Sequence, residues 1–432
     1  MTRNSIKIIM VNAFCLYLAI WTNVLFSQQK AHSTLNLEDL IEEALKNNPL
    51  ILSAKKKWDA YEKKIPQARA LPDPNFSFGL INLPVNSFDF NQEPMTGKKF
   101  SFMQMIPFPG KLRLKGEMAI YEYNSVGQSY EEIKNTIIKK VKLAYYDLFF
   151  IDKSIEITEK NKVLLQEFVK IAEVKYSVGK GLQQDVLKAQ VELSKLIDRL
   201  ITLHQKRQTA GAALNTLLNR APEEPLGRIK QVEKSRIMFN LDELKKIALK
   251  ARPLLKAWDY IIEENEAAHK LAKKDYLPNF NLSVAYTQRD DLQSGMKMYD
   301  FFSGVITINI PLYFSQKQNK KIEQTALNIA MAKEQYNSVR NEIFFQIKDI
   351  LEELKKDEQL IDLFKTGIIP QAAQSLKSAI SGYQVDKIDF ITMLHNQVTL
   401  FNYEIDYYRV LSDFEKKIAE LEAAVGKQLV ER

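Results

Sequence analysis

The chain is written twice. Asn36-Leu37-Glu38-Asp39-Leu40 returns 204 positions later as Asn240-Leu241-Asp242-Glu243-Leu244. At the same spacing Ala44-Leu45-Lys46 meets Ala248-Leu249-Lys250, Pro49-Leu50 meets Pro253-Leu254, and Pro74-Asn75-Phe76 meets Pro278-Asn279-Phe280. Ile106-Pro107 meets Ile310-Pro311. Farther along the spacing becomes 207: Tyr176-Ser177-Val178 meets Tyr383-Gln384-Val385, and Lys180 and Gln190 meet Lys387 and Gln397. Chance rarely keeps one spacing through so many landmarks, so the 432 residues read as two copies of one unit. The copies span 35–220 and 239–427. Pro222, Pro225 and Gly227 mark 221–238 as the linker.

Each copy repeats one order of elements. Asn36 and Asn240 are placed to cap an opening helix, with Asp39 and Glu243 three residues on. Pro49 and Pro253 interrupt that helix, and Pro74 and Pro278 end it. Two strands follow. In the second copy, at about 279–289 and 301–311, Phe280, Leu282, Val284 and Tyr286 alternate with polar or small residues, as do Phe302, Ile306, Ile308 and Ile310. The first copy shows the same pattern more weakly, at about 75–83 and 99–107. From Lys111 to Tyr176 there is no proline, and the heptad seam Ile137, Val141, Ala144, Leu148, Ile151, Ile155 predicts a long coiled-coil helix. After a glycine turn a return helix carries the seam Val186, Ala189, Leu193, Leu196, Leu200, Leu203, Arg207, Ala210, Leu214, Leu217. The second copy repeats it as Met393, Asn396, Leu400, Tyr403, Tyr407, Val410, Phe414, Lys417, Leu421, Ala424.

Composition agrees. Only 14 glycines and 14 prolines in 432 residues suit long helices, and the mean hydropathy of −0.26 excludes a bundle of membrane-spanning helices. The uncharged run from Ile8 to Phe26, behind Arg3 and Lys7, predicts a secretory signal peptide over 1–27; an N-terminal membrane anchor is the alternative. Phe14 before Cys15 does not suit lipid attachment at that cysteine. A chain without its leader has no cysteine and a net charge of about +6, which suits an oxidising compartment. Four half-apolar strands leave a greasy face and two open edges. Lipid and further copies of the chain would satisfy both; a small soluble sheet packed on the helices is the alternative.

Several motifs are more specific. They are Lys175-Tyr176-Ser177-Val178-Gly179, followed by Asp185-Val186-Leu187-Lys188-Ala189-Gln190, and the counterpart Gly382-Tyr383-Gln384-Val385. With them stand Leu71-Pro72-Asp73-Pro74, Asn82-Leu83-Pro84 and Gln104-Met105-Ile106-Pro107-Phe108-Pro109-Gly110-Lys111. Through these the chain resembles the outer-membrane efflux proteins, TolC-like exit channels of tripartite pumps, and most of all their heavy-metal branch (cobalt-zinc-cadmium and copper-silver). The resemblance implies a mainly α protein with a small β part: a homotrimer whose long antiparallel helices form an α-barrel and whose hairpins close a 12-stranded transmembrane β-barrel. It implies an outer-membrane location reaching into the periplasm, and passive conduction of heavy-metal cations or drugs. An inner-membrane pump, of the RND type or another, would supply the energy through a periplasmic adaptor. A protein-secretion exit duct of type I systems, and a periplasmic coiled-coil adaptor or structural rod, remain open at this point.

The resemblance also assigns roles. Tyr176, Val178, Gly179, Leu187, Tyr383, Val385 and Leu394 fall on the hairpin tips that dock the adaptor. Asp185, Tyr383, Asp386, Thr392 and His395 fall where members of the family close the tunnel. Asp386 stands where glycine is usual, and Thr392 and His395 where acidic residues commonly ring the tunnel. A ring of three imidazoles, unlike carboxylates, changes charge near neutral pH, so His395 is expected to make gating depend on pH. No enzymatic motif, cofactor site or metal site is expected: the four histidines, His32, His204, His269 and His395, have no partners at metal-binding spacing. Met95, Met103, Met105, Met296 and Met298 gather around the strands, where methionine ordinarily serves as packing. Lysines interleave with glutamates, as in Glu352-Glu353-Leu354-Lys355-Lys356, which reads as a solvated helix face and not a nucleic-acid patch.

Overall fold

The computed structural model describes residues 34–430 apart from 230 and 237. The expected signal peptide, Cys15 and His32 lie outside the described residues. The elements are α1 (Leu37–Asn47), α2 (Pro49–Arg69), β1 (Asn75–Ile81), β2 (Gly97–Ile106), α3 (Lys111–Ser177) and α4 (Gln183–Leu217). The second copy continues with α5 (Leu241–Ala251), α6 (Pro253–Lys274), β3 (Phe280–Gln288), β4 (Phe301–Ile308) and α7 (Gln318–Leu363). A π-helical turn (Phe364–Ile368), α8 (Ile369–Gln384) and α9 (Phe390–Val425) complete it. Among the described residues no helix is long and apolar enough to cross a membrane. The chain divides into two compact units, one of residues up to Ala54 with Glu131–Arg252 and Asn341 onward, the other of Lys55–Tyr130 with Pro253–Arg340.

Local chemistry explains the helix ends of the first unit. The Glu38 N–H donates to Asn36 Oδ1 at 3.1 Å, and Asn240 with Glu243 closes a reciprocal capping box at 3.0 Å in both directions. Pro49 bars continuation of α1, so Asn48 turns extended and its Oδ1 accepts from the Leu50 N–H at the start of α2. Its Nδ2 donates to Leu217 O at 2.8 Å, tying that corner to the end of α4. α3 is one helix of 67 residues, about 100 Å at the usual rise. Its counterpart runs from Gln318 to Gln384 but contains the π turn. Pro370 has no N–H for the carbonyl of Thr366, and the extra residue of a wider turn absorbs the break; Ile369 N–H reaches back to Phe364 O.

Of the predicted seams in α3 and α4, Ile137, Val141, Leu148, Ile155, Val186, Ala189, Leu196, Leu200, Leu203 and Leu214 are buried, and Ala144, Ile151, Leu193, Arg207, Ala210 and Leu217 are half-covered. α9 keeps less of its seam. Met393, Phe414, Leu421 and Ala424 are buried as the repeat requires, but Asn396, Leu400, Tyr403, Tyr407, Val410 and Lys417 are half-covered. Phe390, Leu394, Gln397, Phe401 and Ile405 form the buried stripe instead. The core joining Leu165 and Phe168 of α3, Ala189 and Leu196 of α4, and Leu376 and Tyr383 of α8 reaches α9 from several directions. A helix packed on more than one side has no single heptad seam.

The second unit holds one antiparallel sheet in the order β1-β2-β3-β4. Its register aligns Phe78, Phe100, Tyr286 and Phe302 across all four strands, and Phe76, Phe102, Val284 and Gly304 in the next row of that face. On the other face Ser77, Ser101, Ala285 and Ser303 line up. The apolar rows are solvent-exposed in the single chain, and every residue of β4 is exposed. The sheet is therefore two-faced, and among the described residues nothing covers its greasy side and β1 and β4 are open edges. β4 ends at Ile308, three residues short of the expected limit: Ile308 faces Phe280, the first residue of β3, and beyond it the Asn279 N–H donates to the Asn309 side chain, Oδ1 at 2.6 Å.

Gly127, inside α3, is explained by the ring above it. Trp58 of α2 stacks between Tyr123 and Tyr130, at centroid distances of 5.5 and 5.7 Å. A Cβ at 127 would sit 2.9 Å from the Trp58 ring nitrogen. Gly127→Val is expected to expel Trp58 and lower stability by about 1–3 kcal/mol, measured as a fall in the urea midpoint; an unchanged midpoint would show that the ring moves aside freely.

Candidate functional site

The two helix hairpins end in the same turn. Gly179 and Asp386, equivalent positions of the two copies, both adopt left-handed backbone, with φ of 71° and 57°. In the first turn Gly179 N–H donates to Tyr176 O and Lys180 N–H to Lys175 O; in the second, Asp386 N–H donates to Tyr383 O and Lys387 N–H to Gly382 O. This is the paired hydrogen bonding that closes helix C-termini. Glycine takes that conformation without strain; aspartate is among the few other residues that tolerate it.

The departure from glycine places a carboxylate where another side chain can use it. Lys175, at the end of α3, extends to the second tip. Its Nζ donates to Asp386 Oδ1 at 2.5 Å and to Tyr383 O at 2.6 Å, and it lies 4.1 Å from the centre of the Tyr383 ring. The ammonium beside Asp386 holds that carboxyl below the usual carboxylate range. Tyr383 is buried edge-on against Phe390. Burial first, then the Asp185 and Asp386 carboxylates, push its phenol above the usual value.

The remaining candidates are distributed as follows. Asp185 lies in the first turn of α4, half-buried and close enough for its charge to reach Tyr383. At the tips Lys175 makes the hydrogen bonds described above, and farther along the hairpins Gln397 Nε2 of α9 donates to Asn161 Oδ1 of α3 at 2.8 Å. Thr392 gives its backbone N–H to Asp389 Oδ1 at 2.7 Å, so Asp389 caps α9, and that bond keeps the Asp389 carboxyl low. His395 is exposed. It lines an open groove of about 530 Å³ with Leu187, Val191, Ile391 and Leu394, where Lys188, Glu192 and Lys195 of α4 also stand. Val178 and Val385 project from the two turns, 62% and 61% exposed, and Tyr176 and Leu187 are exposed as well. Tyr383 and Leu394 are buried and belong to the core beneath the tips. Among the described residues no cluster of His, Cys, Asp and Glu has a metal-holding arrangement. Lys175 is the residue that sequence reasoning passed over. It sits in the quoted motif, but its partners lie over 200 residues away, and the duplication gives no hint of the contact because its second-copy equivalent is Gly382.

Comparison with known proteins decides the family. The model of the outer membrane efflux protein family matches residues 40–220 and again 244–427, nearly the whole described chain and once per copy. The chain belongs to the outer membrane efflux proteins. Among relatives of this efflux family, Outer membrane efflux protein BepC of Brucella suis biovar 1 is 24% identical over 279 residues, 63% of this chain and 59% of that protein. The chain thus matches about three fifths of BepC. Cobalt-zinc-cadmium resistance protein CzcC of Cupriavidus metallidurans is 20% identical over 405 residues, 92% of each chain. The solved outer membrane protein VceC of Vibrio cholerae superposes with a TM-score of 0.75 at 18% identity, covering 91% of this chain and 96% of that one. That likeness establishes the fold: mainly helical, with a small antiparallel sheet.

Proposed function

We propose that this outer membrane efflux protein is the passive exit duct of a tripartite efflux system, with heavy-metal cations as the first cargo to test and drugs as the second. Three copies of the four-stranded sheet would close a barrel of twelve strands in the outer membrane, and three sets of long helices a tunnel across the periplasm. The observation that carries this is the sheet, with one exposed apolar face and two open edges that lipid and neighbouring copies would satisfy together. The name of CzcC supports the metal cargo. In this reading 1–27 is the removed signal, 35–220 and 239–427 are the two repeats, and 221–238 joins them. No bond is made or broken; the duct guides diffusion, and the pump supplies the energy. Outer-membrane fractions should yield a band that migrates as a trimer until heated. Recovery of the mature protein in the soluble periplasmic fraction would overturn the proposal.

The exposed tip residues would meet the periplasmic adaptor. Val178, Val385 and Leu187 have the exposure that such docking requires. Replacing both valines by aspartate is expected to abolish efflux-dependent metal resistance and leave the heat-sensitive trimer intact. The change adds one charge to each turn at a side chain that is exposed in the single chain. Crosslinking to the adaptor at wild-type yield would remove Val178 and Val385 from the docking surface.

A further inference from the structure

The two copies differ in length at one point of the sheet unit, between Pro311 and Gln318. Pro107 and Pro311 are 204 apart, whereas Lys111 and Gln318, the first residues of α3 and α7, are 207 apart. Both helix starts are buried: Lys111 Nζ donates to Leu277 O at 2.9 Å and to Asn279 Oδ1 at 3.0 Å, and Gln318 donates to Asp275 O at 3.5 Å. The first-copy connection packs inward, with Pro107 covered and Phe108 stacked on Phe280 at 6.4 Å. In the longer second-copy connection Phe314 lies half-turned toward Tyr276, 6.4 Å between ring centres, while Leu312 and Tyr313 are carried outward, Tyr313 to 78% exposure, in a turn closed by Lys317 N–H to Tyr313 O at 3.0 Å and Asn319 N–H to Phe314 O at 2.9 Å.

The order along this turn is informative. Ile306 and Ile308 lie on the sheet's apolar face. Exposed Ile310, Leu312, Tyr313 and Phe314 follow, and then exposed Lys317, Lys320 and Lys321. Lys320 pairs with Glu323 at 2.7 Å with both side chains well exposed, a contact that water weakens and a phosphate can replace. Apolar, then aromatic, then basic is the profile of a chain leaving a bilayer through its headgroup layer. We propose that the inserted turn 312–317 is an interfacial anchor that seats Tyr313 and Phe314 at the headgroup level of the periplasm-facing leaflet. There Lys317, Lys320 and Lys321 recognise anionic phospholipid. This rests on the reading of the sheet as membrane-embedded.

The test uses the full assembly in vesicles of phosphatidylcholine and phosphatidylglycerol, in a background lacking Cys15. A nitroxide is attached at Tyr313→Cys and, as control, at Phe302→Cys on the apolar face of β4. At both sites dissolved oxygen should outcompete a water-soluble nickel complex as the relaxing agent, with position 313 the shallower of the two. Lys317→Gln/Lys320→Gln/Lys321→Gln should lower the preference for spin-labelled phosphatidylglycerol over phosphatidylcholine, by about fivefold for each lysine that reaches the headgroups. A lipid-exposed 302 with a 313 open to nickel puts the turn in water and overturns the anchor. A 313 closed to both agents means that a second copy covers it, which also overturns the anchor. An unchanged lipid preference in the triple variant overturns the anionic part. Nickel access at 302 instead removes the membrane-embedded sheet itself, and the channel reading with it.

Discussion

Replacing Lys175 by alanine should raise the resting conductance of the purified channel in planar bilayers by roughly tenfold. Lys175 makes the hydrogen bonds by which the first hairpin holds the second at the tip: to the Asp386 carboxylate, to the Tyr383 carbonyl, and over the Tyr383 ring. If the tips close the tunnel, three copies of this contact share one ring, and their removal shifts a single equilibrium three times over. Lys175→Arg keeps the charge but not the compact ammonium that reaches a carbonyl and a ring together, so it should leak less than the alanine variant. Asp386→Gly restores the turn's usual residue and removes the ion pair without backbone strain. It separates the latch from the fold, because only the latch is lost. Wild-type conductance in both Lys175→Ala and Asp386→Gly would remove this contact from the gate.

The pH dependence has a definite sign. Lys175 holds the Asp386 carboxyl below its ordinary value of 3.8. A depressed carboxylate contributes its stabilisation fully above the ordinary value and loses it only as pH falls through the lowered one. The Lys175–Asp386 contact therefore predicts flat conductance between about pH 5 and 8. The expectation that gating depends on pH through His395 requires a change within that window. It stands exposed on α9 beside Lys188, Glu192 and Lys195 of α4. Conductance recorded across the window distinguishes the two, and a pH profile unaltered by His395→Asn would exclude the histidine.

What could be read in advance was whatever repeats or alternates locally. The caps at Asn36 and Asn240, the strand faces, the single long α3 and the two glycine-type turns all follow from short-range rules that the duplication states twice. The interior of α9 did not follow. Its seam was transferred from α4 by the repeat, yet α9 packs on several neighbours and buries Phe390, Leu394, Phe401 and Ile405 besides Met393, Phe414, Leu421 and Ala424 of that seam. The π turn became legible only with Pro370 placed in a helix that tertiary packing holds continuous. Lys175 escaped for a different reason. Its role exists only between the copies, and a comparison of each copy with the other is blind to contacts that join them. The change of spacing from 204 to 207 was visible in the sequence, but only the buried starts of α3 and α7 show that the extra residues lie between Pro311 and Gln318.

The largest stability effect is expected at a buried ion pair far along the chain from the tips. Lys142 of α3 donates to Glu422 Oε2 of α9 at 2.5 Å, and both side chains are only 6% exposed. The second carboxylate oxygen accepts from the N–H groups of Leu429 at 2.9 Å and Val430 at 3.3 Å, so Glu422 also fastens the segment beyond α9. Lys142→Met removes one partner and leaves an anion in a site with little water. The cost should be about 3–5 kcal/mol, read as a lower urea midpoint by circular dichroism. Glu422→Gln retains an amide oxygen for Leu429 and Val430 but strands the ammonium, and a comparable loss is expected. Lys142→Met/Glu422→Gln strands neither charge. A buried pair gains from Coulomb attraction about what it loses in desolvation, so the double variant should recover to within about 2 kcal/mol of the parent. Additive losses would instead mean that each residue acts through its own packing, and that the charges contribute only through contacts each makes alone.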